Sequence, residues 1–255
     1  MTITSVKNET VKQLRRLRDR KARRETGLHL IEGERLVLDA LNAGVVPDTI
    51  IIEEGKTHLE EAVSSFALPF INVSCNVLSA CCDTETPQGI LASVHTPDQS
   101  VPETYPDGLI VVLDAVQNSG NVGTVIRTAD AMGASCIILG EGCADAFSPK
   151  ALRAAMGSCY HIPIYAGTLV PELEKLKAQN FSLICGHLGG KEEFPEINRN
   201  CAVVIGNEGN GASEEVSSRC ELVKLKMYGK AESLNASVAA GIFIYKIAEK
   251  LHSGD

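Results

Sequence analysis

Two uninterrupted apolar runs, LIVVL at 109–113 and CAVVI at 201–205, narrow the possible folds most. A strand with one face in water alternates apolar and polar residues. A strand that is apolar at every position must be covered on both faces, as in a parallel sheet flanked by helices. Cys136–Leu139, Phe181–Cys185 and Leu222–Leu225 read as further strands of the same sheet. The helices between and after them are predicted at Val122–Ala131, Pro149–Ala155, Thr168–Gln179, Ser213–Arg219 and Ser233–Leu251. In the last of these, Val238, Ile242 and Tyr245 recur at helical spacing, so that face is predicted to enter the core.

A smaller alternation precedes this one. A basic helix with an apolar stripe of Val11, Leu14 and Leu17 leads to a strand at Leu28–Glu32. A helix follows at Glu34–Ala43, with Gly44 placed to end it. Then come a strand at Thr49–Ile52, a helix near Thr57–Phe66, a strand at Phe70–Val73, a short helix near Asn76–Ala80 and a strand at Ile90–Val94. Short strands alternating with helices read as a small α/β domain. The expected organisation is a first domain at 1–96, a proline-containing linker at 97–105 and a second domain at 106–255.

The chain carries a formal net charge of −8, yet the charge is not spread evenly. Residues 1–24 hold nine basic groups, Arg15, Arg16, Arg20, Arg23 and Arg24 among them, and two acidic ones. That segment is +7 and the rest of the chain −15. Local potential, not net charge, decides where phosphate binds, so this segment is the expected RNA contact. Aromatic residues are 4% of the chain and Trp is absent, which argues against a stacking platform for bases. The nine Cys form no CxxC and the six His pair with no Cys at zinc spacing, so buried thiols and no metal are expected. The polar N-terminus lacks a secretory signal, and no run has membrane-spanning length. A cytoplasmic protein is expected.

Three segments of the second domain carry candidate chemistry. NSGNVGTVIRTADAMGA (118–134) follows a buried strand and opens a helix, at the sheet edge where α/β proteins hold ligands. Asn121 and Arg127 both fall near the start of that helix in this reading, with Asn121 a possible N-cap. VVIGNEGNGAS (203–213) runs from a strand into a turn containing Gly206, Gly209 and Gly211. Glu208 sits in this turn, where packing does not explain a carboxylate. LKMYGKAESLNASVAAGIFIYKIAEK (225–250) passes through Gly229 into a helix whose start is marked by Ser233 and Asn235. Its small residues, Ala236 to Gly241, suggest that another backbone lies close.

In this order, NVGTVIRTA, GNEGNG and SLNASVAA resemble the three motifs of the SpoU (TrmH) branch of the SPOUT methyltransferases. IEGERLVLDAL (31–41) and TPQGILASV (86–94) are similar to the family's substrate-binding domain, itself like a small ribosomal-protein fold that binds RNA. The resemblance covers nearly the whole chain. Ala236 stands where many members have Val, and Ala155 where several have Ser. The resemblance implies a C-terminal α/β domain with a trefoil knot, a homodimer formed through that domain, and S-adenosyl-L-methionine as methyl donor. It implies transfer to a ribose 2′-hydroxyl of RNA, 23S rRNA foremost, with tRNA as the alternative. A non-catalytic RNA-binding dimer of the same fold is the remaining alternative. Carried onto this sequence, Gly206, Leu225, Met227, Leu234, Gly209 and Gly229 would line the donor site. Arg127, Asn121, Glu208, Ser233 and Asn235 would act on the ribose. By the resemblance Arg127 would act on the 2′-hydroxyl as general base, or, since a guanidinium holds its proton strongly, by binding the adjacent phosphate and stabilising the alkoxide. Glu208 would pair with Arg127 or accept the proton.

Overall fold

The structure is a computed structural model, and it describes residues 2–197 and 199–252. The chain forms two compact units. One comprises residues up to Pro97 together with Phe147–Tyr160, the other Asp98–Ala146 and His161 onward.

In the first unit the basic segment forms two helices, α1 (Glu9–Arg16) and α2 (Arg20–Thr26). The single predicted helix breaks because Asp19 acts as a new N-cap, its side chain accepting from Lys21 N at 2.6 Å. Then follow β1 (Leu28–Glu32), α3 (Glu34–Asn42), β2 (Pro47–Glu53), α4 (Thr57–Ser64), β3 (Ile71–Val73), α5 (Cys75–Cys81) and β4 (Ile90–His95). The sheet order is β1-β4-β2-β3, with β4 antiparallel to both neighbours and β3 parallel to β2. Val11, Leu14 and Leu17 are buried against Val77, Leu78 and Leu91, as the α1 stripe required.

The second unit contains β5 (Leu109–Leu113), α6 (Ser119–Ala131) and β6 (Cys136–Leu139). The chain then forms α7 (Pro149–Ala155), which belongs to the first unit, and returns as β7 (Ile164–Ala166), α8 (Leu169–Ala178), β8 (Ser182–Lys191), β9 (Cys201–Ile205), α9 (Glu214–Ser217), β10 (Glu221–Val223) and α10 (Ala236–His252). All six strands are parallel, in the order β10-β8-β9-β5-β6-β7. The two diagnostic runs are direct neighbours, with Leu109 opposite Cys201 and Leu113 opposite Ile205, and every residue of both is buried. Truncating one of them, such as Ile110→Ala, would cost roughly 2–5 kcal/mol.

Residues 147–160 lie within the stretch assigned by sequence to the second domain, yet they pack with the first unit. His29 on β1 is fully buried there. Its Nε2 lies 2.7 Å from the Tyr160 hydroxyl and its Nδ1 lies 3.0 Å from Thr96 Oγ1. Arg153 reinforces the join through Asp83 at 2.8 Å.

All nine Cys are free thiols, seven of them buried. Burial pushes Cys136 and Cys201 up to about 12, which leaves them protonated and poor nucleophiles. Among the described residues, no His/Cys/Asp/Glu cluster could hold a metal and no helix is long and apolar enough to cross a membrane.

The face of α10 differs from expectation. Ala236, Ala240, Phe243, Ile244, Ile247 and Ala248 are buried, while Val238, Ile242 and Tyr245 are 51%, 36% and 55% exposed. Spacing alone defines a stripe but not which stripe turns inward. This 17-residue helix carries two.

Candidate active site

The loops that follow β5, β9 and β10 meet at the carboxyl edge of the parallel sheet, where such sheets place ligands. The loop after β9 is closed very tightly. A Cβ on Gly206 would lie 2.0 Å from Ala212 N, so no other residue fits without moving backbone. Asn207 builds the turn, its Oδ1 accepting from Gly209 N at 2.9 Å and Asn210 N at 3.2 Å. Its Nδ2 donates to Ala115 O at 2.8 Å, which ties the turn to the end of β5. Asp114, buried at that end, accepts from Ser213 N at 2.7 Å and from its hydroxyl at 2.8 Å. Asp114 was not singled out from sequence; the only available signal was an acidic residue directly after a fully apolar strand.

The three motifs join through one hydrogen-bonded row. Asn235 Nδ2 donates to Asn121 Oδ1 at 3.3 Å, and Asn121 Nδ2 donates to Glu208 Oε1 at 2.8 Å. Glu208 also accepts from the backbone N–H groups of Asn118 (3.3 Å) and Gln117 (3.4 Å). Burial, the largest single influence on Glu208, pushes its pKa up. The hydrogen bonds from Asn121, Asn118 and Gln117 outweigh it and hold the carboxyl below its ordinary value. Glu208 is therefore an anionic anchor, and a weak proton acceptor.

Several sequence assignments change here. The N-cap of α6 is Asn118, whose side chain accepts from Gly120 N at 2.9 Å; Asn121 is the third helical residue and is 9% exposed. Arg127 is not near the helix start. Six residues along, it lies about 9 Å further down the axis and about a third of a turn away from Asn121. Its side chain is exposed, with no hydrogen bond or ion pair among the described residues. Glu208 thus does not pair with Arg127. Asn235 is the actual start of α10: its Oδ1 accepts from Ser237 N (2.9 Å), Ser237 Oγ (2.6 Å) and Val238 N (3.4 Å). Capping and the bridge to Asn121 use opposite ends of the same amide. Ser233 lies two residues before the cap and is exposed.

A cavity of about 380 Å³ opens beside this row, within the range of small-molecule sites of roughly 300–1,000 Å³. Gly206, Gly209, Leu225, Met227, Leu234, Glu208 and Ser233 line it. Gly229, predicted with them, does not; the space around its Cα is open. Gly186, His187 and Leu188 do line it, on a β8 that extends to Lys191, six residues beyond its predicted end. A GHLGG sequence reads as a loop, so sequence gave no warning of this wall. Gly186 packs so close to Phe243 that a Cβ would lie 2.8 Å from the ring. Along 225–234 the backbone makes no hydrogen bond among the described residues. An unpaired run of backbone donors and acceptors beside an apolar floor of Ala239 and Phe243 suits a ligand with both polar edges and a flat body.

In the basic segment, Arg15, Arg16, Arg20 and Arg24 are exposed. Arg23 is 7% exposed and donates to Leu17 O at 3.1 Å and Arg18 O at 2.9 Å. It satisfies carbonyls at the α1–α2 junction and is not available to RNA. A run of like residues gave no sign that one of them turns inward.

Residues 108–245 match the SpoU rRNA methylase family and residues 8–92 the MRM3-like substrate binding domain. The chain is 38% identical over 251 residues to the 23S rRNA (guanosine(2553)-2′-O)-methyltransferase RlmP of Bacillus subtilis (strain 168), covering 96% of this chain and 98% of that one. It is similar to the AdoMet-bound rRNA methyltransferase from Sinorhizobium meliloti, with a TM-score of 0.86, 30% identity, and 98% and 97% of the two chains covered. For the SpoU methyltransferase AviRb from Streptomyces viridochromogenes, in complex with AdoMet, the TM-score is 0.85 at 26% identity, covering 98% of this chain and 100% of that one. Both likenesses run through the small N-terminal α/β unit and the α/β unit with the parallel sheet, since 98% of this chain is covered in each. With over half of the chain inside the methylase match and nearly all of it aligned with such relatives, the protein belongs to the SpoU rRNA methylase family.

Proposed function

We propose that this chain methylates a ribose 2′-hydroxyl of large-subunit ribosomal RNA, using S-adenosyl-L-methionine. The observation that carries this reading is the Asn235–Asn121–Glu208 row beside the 380 Å³ cavity, which draws all three motifs to one place. The cavity residues fit the donor. Unpaired backbone groups at Leu225, Met227 and Leu234 would bind its adenine and amino-acid ends, and the close turn at Gly206 would let the backbone approach. When bound, the donor supplies a methyl group on a sulfonium, already activated for in-line transfer.

The residues then have to orient one oxygen and manage one proton, and positioning is a large source of rate. Arg127 bears a permanent charge and five N–H donors, with no partner among the described residues. It is suited to hold an RNA phosphate and to stabilise charge developing at the 2′-oxygen. Asn121 and Asn235, locked end to end, keep the helix start and the loop after β10 in register. Ser233, free at the cavity wall, can hydrogen-bond the ribose. Glu208 keeps Asn121 oriented.

The exposed stripe of Val238, Ile242 and Tyr245 on α10 supports a homodimer through the second unit, since large apolar residues at such spacing mark an interface. Exposed Arg15, Arg16, Arg20 and Arg24 support RNA contact by the N-terminal helices. The activity and its chemistry point to the cytoplasm. Transfer of tritiated methyl from the donor to separated rRNA and tRNA fractions tests the proposal: label is expected in large-subunit rRNA at a 2′-O-methyl nucleotide. Label in tRNA alone, or on a base, would refute it.

A further inference from the structure

The first unit contains a second cavity, of about 230 Å³, between α1, α2 and one end of the four-stranded sheet. Its walls combine three chemistries. Leu14, Leu17 and Leu28 form an apolar side. Asp48, Thr49 and Ser93 form a polar end, and Gln13 and Arg16 stand at the helical side.

The polar end is built by a break in the sheet. Pro47 lies opposite Val94 and Thr49 opposite Ser93, so Asp48 is an extra residue in β2. Such a bulge re-aims one side chain out of the regular pleat. The Asp48 carboxylate is then held through a single oxygen. Oδ2 accepts from Ser93 Oγ at 3.1 Å and from Thr49 Oγ1 at 3.1 Å. Ser93 is only 1% exposed and anchors one of the two supports in the core, while Asp48 itself is exposed and open to an incoming group. Oδ1 has no partner among the described residues and is left to accept from an outside donor. The Gln13 amide also has no partner among them.

We infer that this slot receives one unpaired nucleobase of the RNA substrate and reads its exocyclic amino group through Asp48 Oδ1. The inference rests on the proposal that the substrate is RNA. Three arguments support it. The volume lies below the roughly 300–1,000 Å³ of sites for whole drug-sized ligands, which suits a single ring system. A flat apolar wall facing a polar end is the environment that a splayed-out base needs, with its face packed and its edge hydrogen-bonded. A carboxylate is purely an acceptor, so it favours the exocyclic amino groups of guanine, cytosine or adenine over uracil, whose single N3–H donor is flanked by two carbonyl oxygens that the carboxylate repels. The setting supplies the rest. A lone carboxylate would repel a polyanion, but Arg16 borders the slot and α1 and α2 also carry Arg15, Arg20, Lys21 and Arg24 exposed. Arg16 both borders the slot and can hold the adjoining phosphate; its nearest intramolecular anion, Glu25, is 4.0 Å away and exposed. Phosphate contacts would position the strand, and the slot would choose the base.

The test uses the full chain and fluorescein-labelled single-stranded RNA heptamers in anisotropy titrations at one salt concentration. Two pairs are compared at the central base: guanosine against inosine, which lacks only the exocyclic amino group, and cytidine against uridine, in which a carbonyl replaces the amino group and N3 becomes a donor. In at least one pair the amino-bearing heptamer is expected to bind about tenfold more tightly, as for a hydrogen bond to a charged acceptor. Asp48→Asn should reduce that preference to less than about twofold while keeping the salt dependence, because the phosphate contacts remain. Thr49→Val, which leaves the carboxylate in place, should retain most of the preference and guards against a folding defect in the first variant. Equal binding within both pairs by the wild type, or an undiminished preference in Asp48→Asn, would overturn the inference. So would displacement of the heptamer by equimolar free guanosine or cytidine, which would make the slot a small-molecule site. Methyl transfer is measured separately. If transfer to rRNA occurs without base discrimination, the slot fails alone; if discrimination stands without transfer, the enzymatic reading fails alone.

Discussion

Replacing Asn121 with alanine removes the centre of the row that joins the three motifs, and the structure sets the size of the effect. The bond from Nδ2 to Glu208 is 2.8 Å long and charge-assisted, a type contributing roughly 1.5–3 kcal/mol. Glu208 is exposed, so solvent competition reduces this to about 1 kcal/mol. The 3.3 Å bond from Asn235 joins an exposed partner that water can satisfy, and it adds little. Asn121 is 9% exposed, so lost packing adds about 0.5–1 kcal/mol. The expected total is about 1.5–2 kcal/mol near neutral pH. The pH dependence separates the two parts. Glu208 has a folded pKa below its ordinary 4.5, so its contribution is present above that value and lost as pH falls through the folded one. Asn121→Ala should therefore cost less at about pH 3 than at about pH 7, by the bond's share. Urea unfolding followed by far-ultraviolet circular dichroism is the suitable assay, since the chain has no Trp to report by fluorescence. A cycle with Glu208→Gln should show a coupling of about 1 kcal/mol at neutral pH. Equal destabilisation at both pH values, together with additive single changes, would refute the reasoning.

Arg127→Ala should leave thermal stability within about 0.5 kcal/mol and donor affinity by calorimetry unchanged, yet lower methyl transfer by roughly 10²–10³-fold; wild-type turnover would remove Arg127 from the site. Arg23→Ala should destabilise the first unit by about 2–3 kcal/mol through loss of its buried bonds to Leu17 and Arg18 carbonyls, seen in urea unfolding. Joint neutralisation of Arg15, Arg16, Arg20 and Arg24 should instead flatten the salt dependence of RNA binding and spare stability. Ile242→Glu should convert a dimer to a monomer in size-exclusion chromatography with light scattering, because it places a charge in the exposed α10 stripe. Gly206→Ala should abolish donor binding by calorimetry, since its Cβ would overlap the backbone at Ala212.

What could be read beforehand was set by burial on both faces. Leu109–Leu113 and Cys201–Ile205 declare their strands because each side chain, inward and outward, is covered. β7, three residues long at the sheet edge, has no such run and was missed. The same logic limits the site. Asn121, Glu208 and Asn235 stand out because three motifs in one order resemble those of the SpoU family; taken alone, Asn121 and Asn235 read as helix caps. Which of them touch was not legible, since the 2.8 Å contact joins residues 87 apart in the chain. Asn118 took the capping position assigned to Asn121 because several polar residues near a helix start compete for it. Val238, Ile242 and Tyr245 were placed in the core because periodicity gives a spacing and no direction. Arg23 was grouped with RNA contacts because composition cannot separate a cation that faces water from one that satisfies carbonyls.

The arrangement of charges in the second unit ties these corrections to the chemistry. Had Glu208 paired with Arg127, an exposed pair would have added little stability and would have cancelled the cation. Glu208 instead draws on three donors of the β5–α6 junction, Asn121 Nδ2 and the N–H groups of Asn118 and Gln117. Its negative charge is committed to holding the motifs together, and it stays ionised because those bonds lower its pKa. The guanidinium of Arg127 is thereby left without an anion partner among the described residues, about 9 Å along α6 from Asn121. An exposed, always-charged group with planar donors is completed only by an external oxyanion. RNA supplies one at every nucleotide, and the 2′-hydroxyl lies on the same sugar as its neighbouring phosphate. On the proposed mechanism, phosphate capture by Arg127 would then gate methyl transfer, because Glu208 takes other partners. A variant that places a carboxylate against Arg127, such as Thr124→Glu one turn earlier on α6, is expected to be folded, able to bind donor by calorimetry, and slow in methyl transfer.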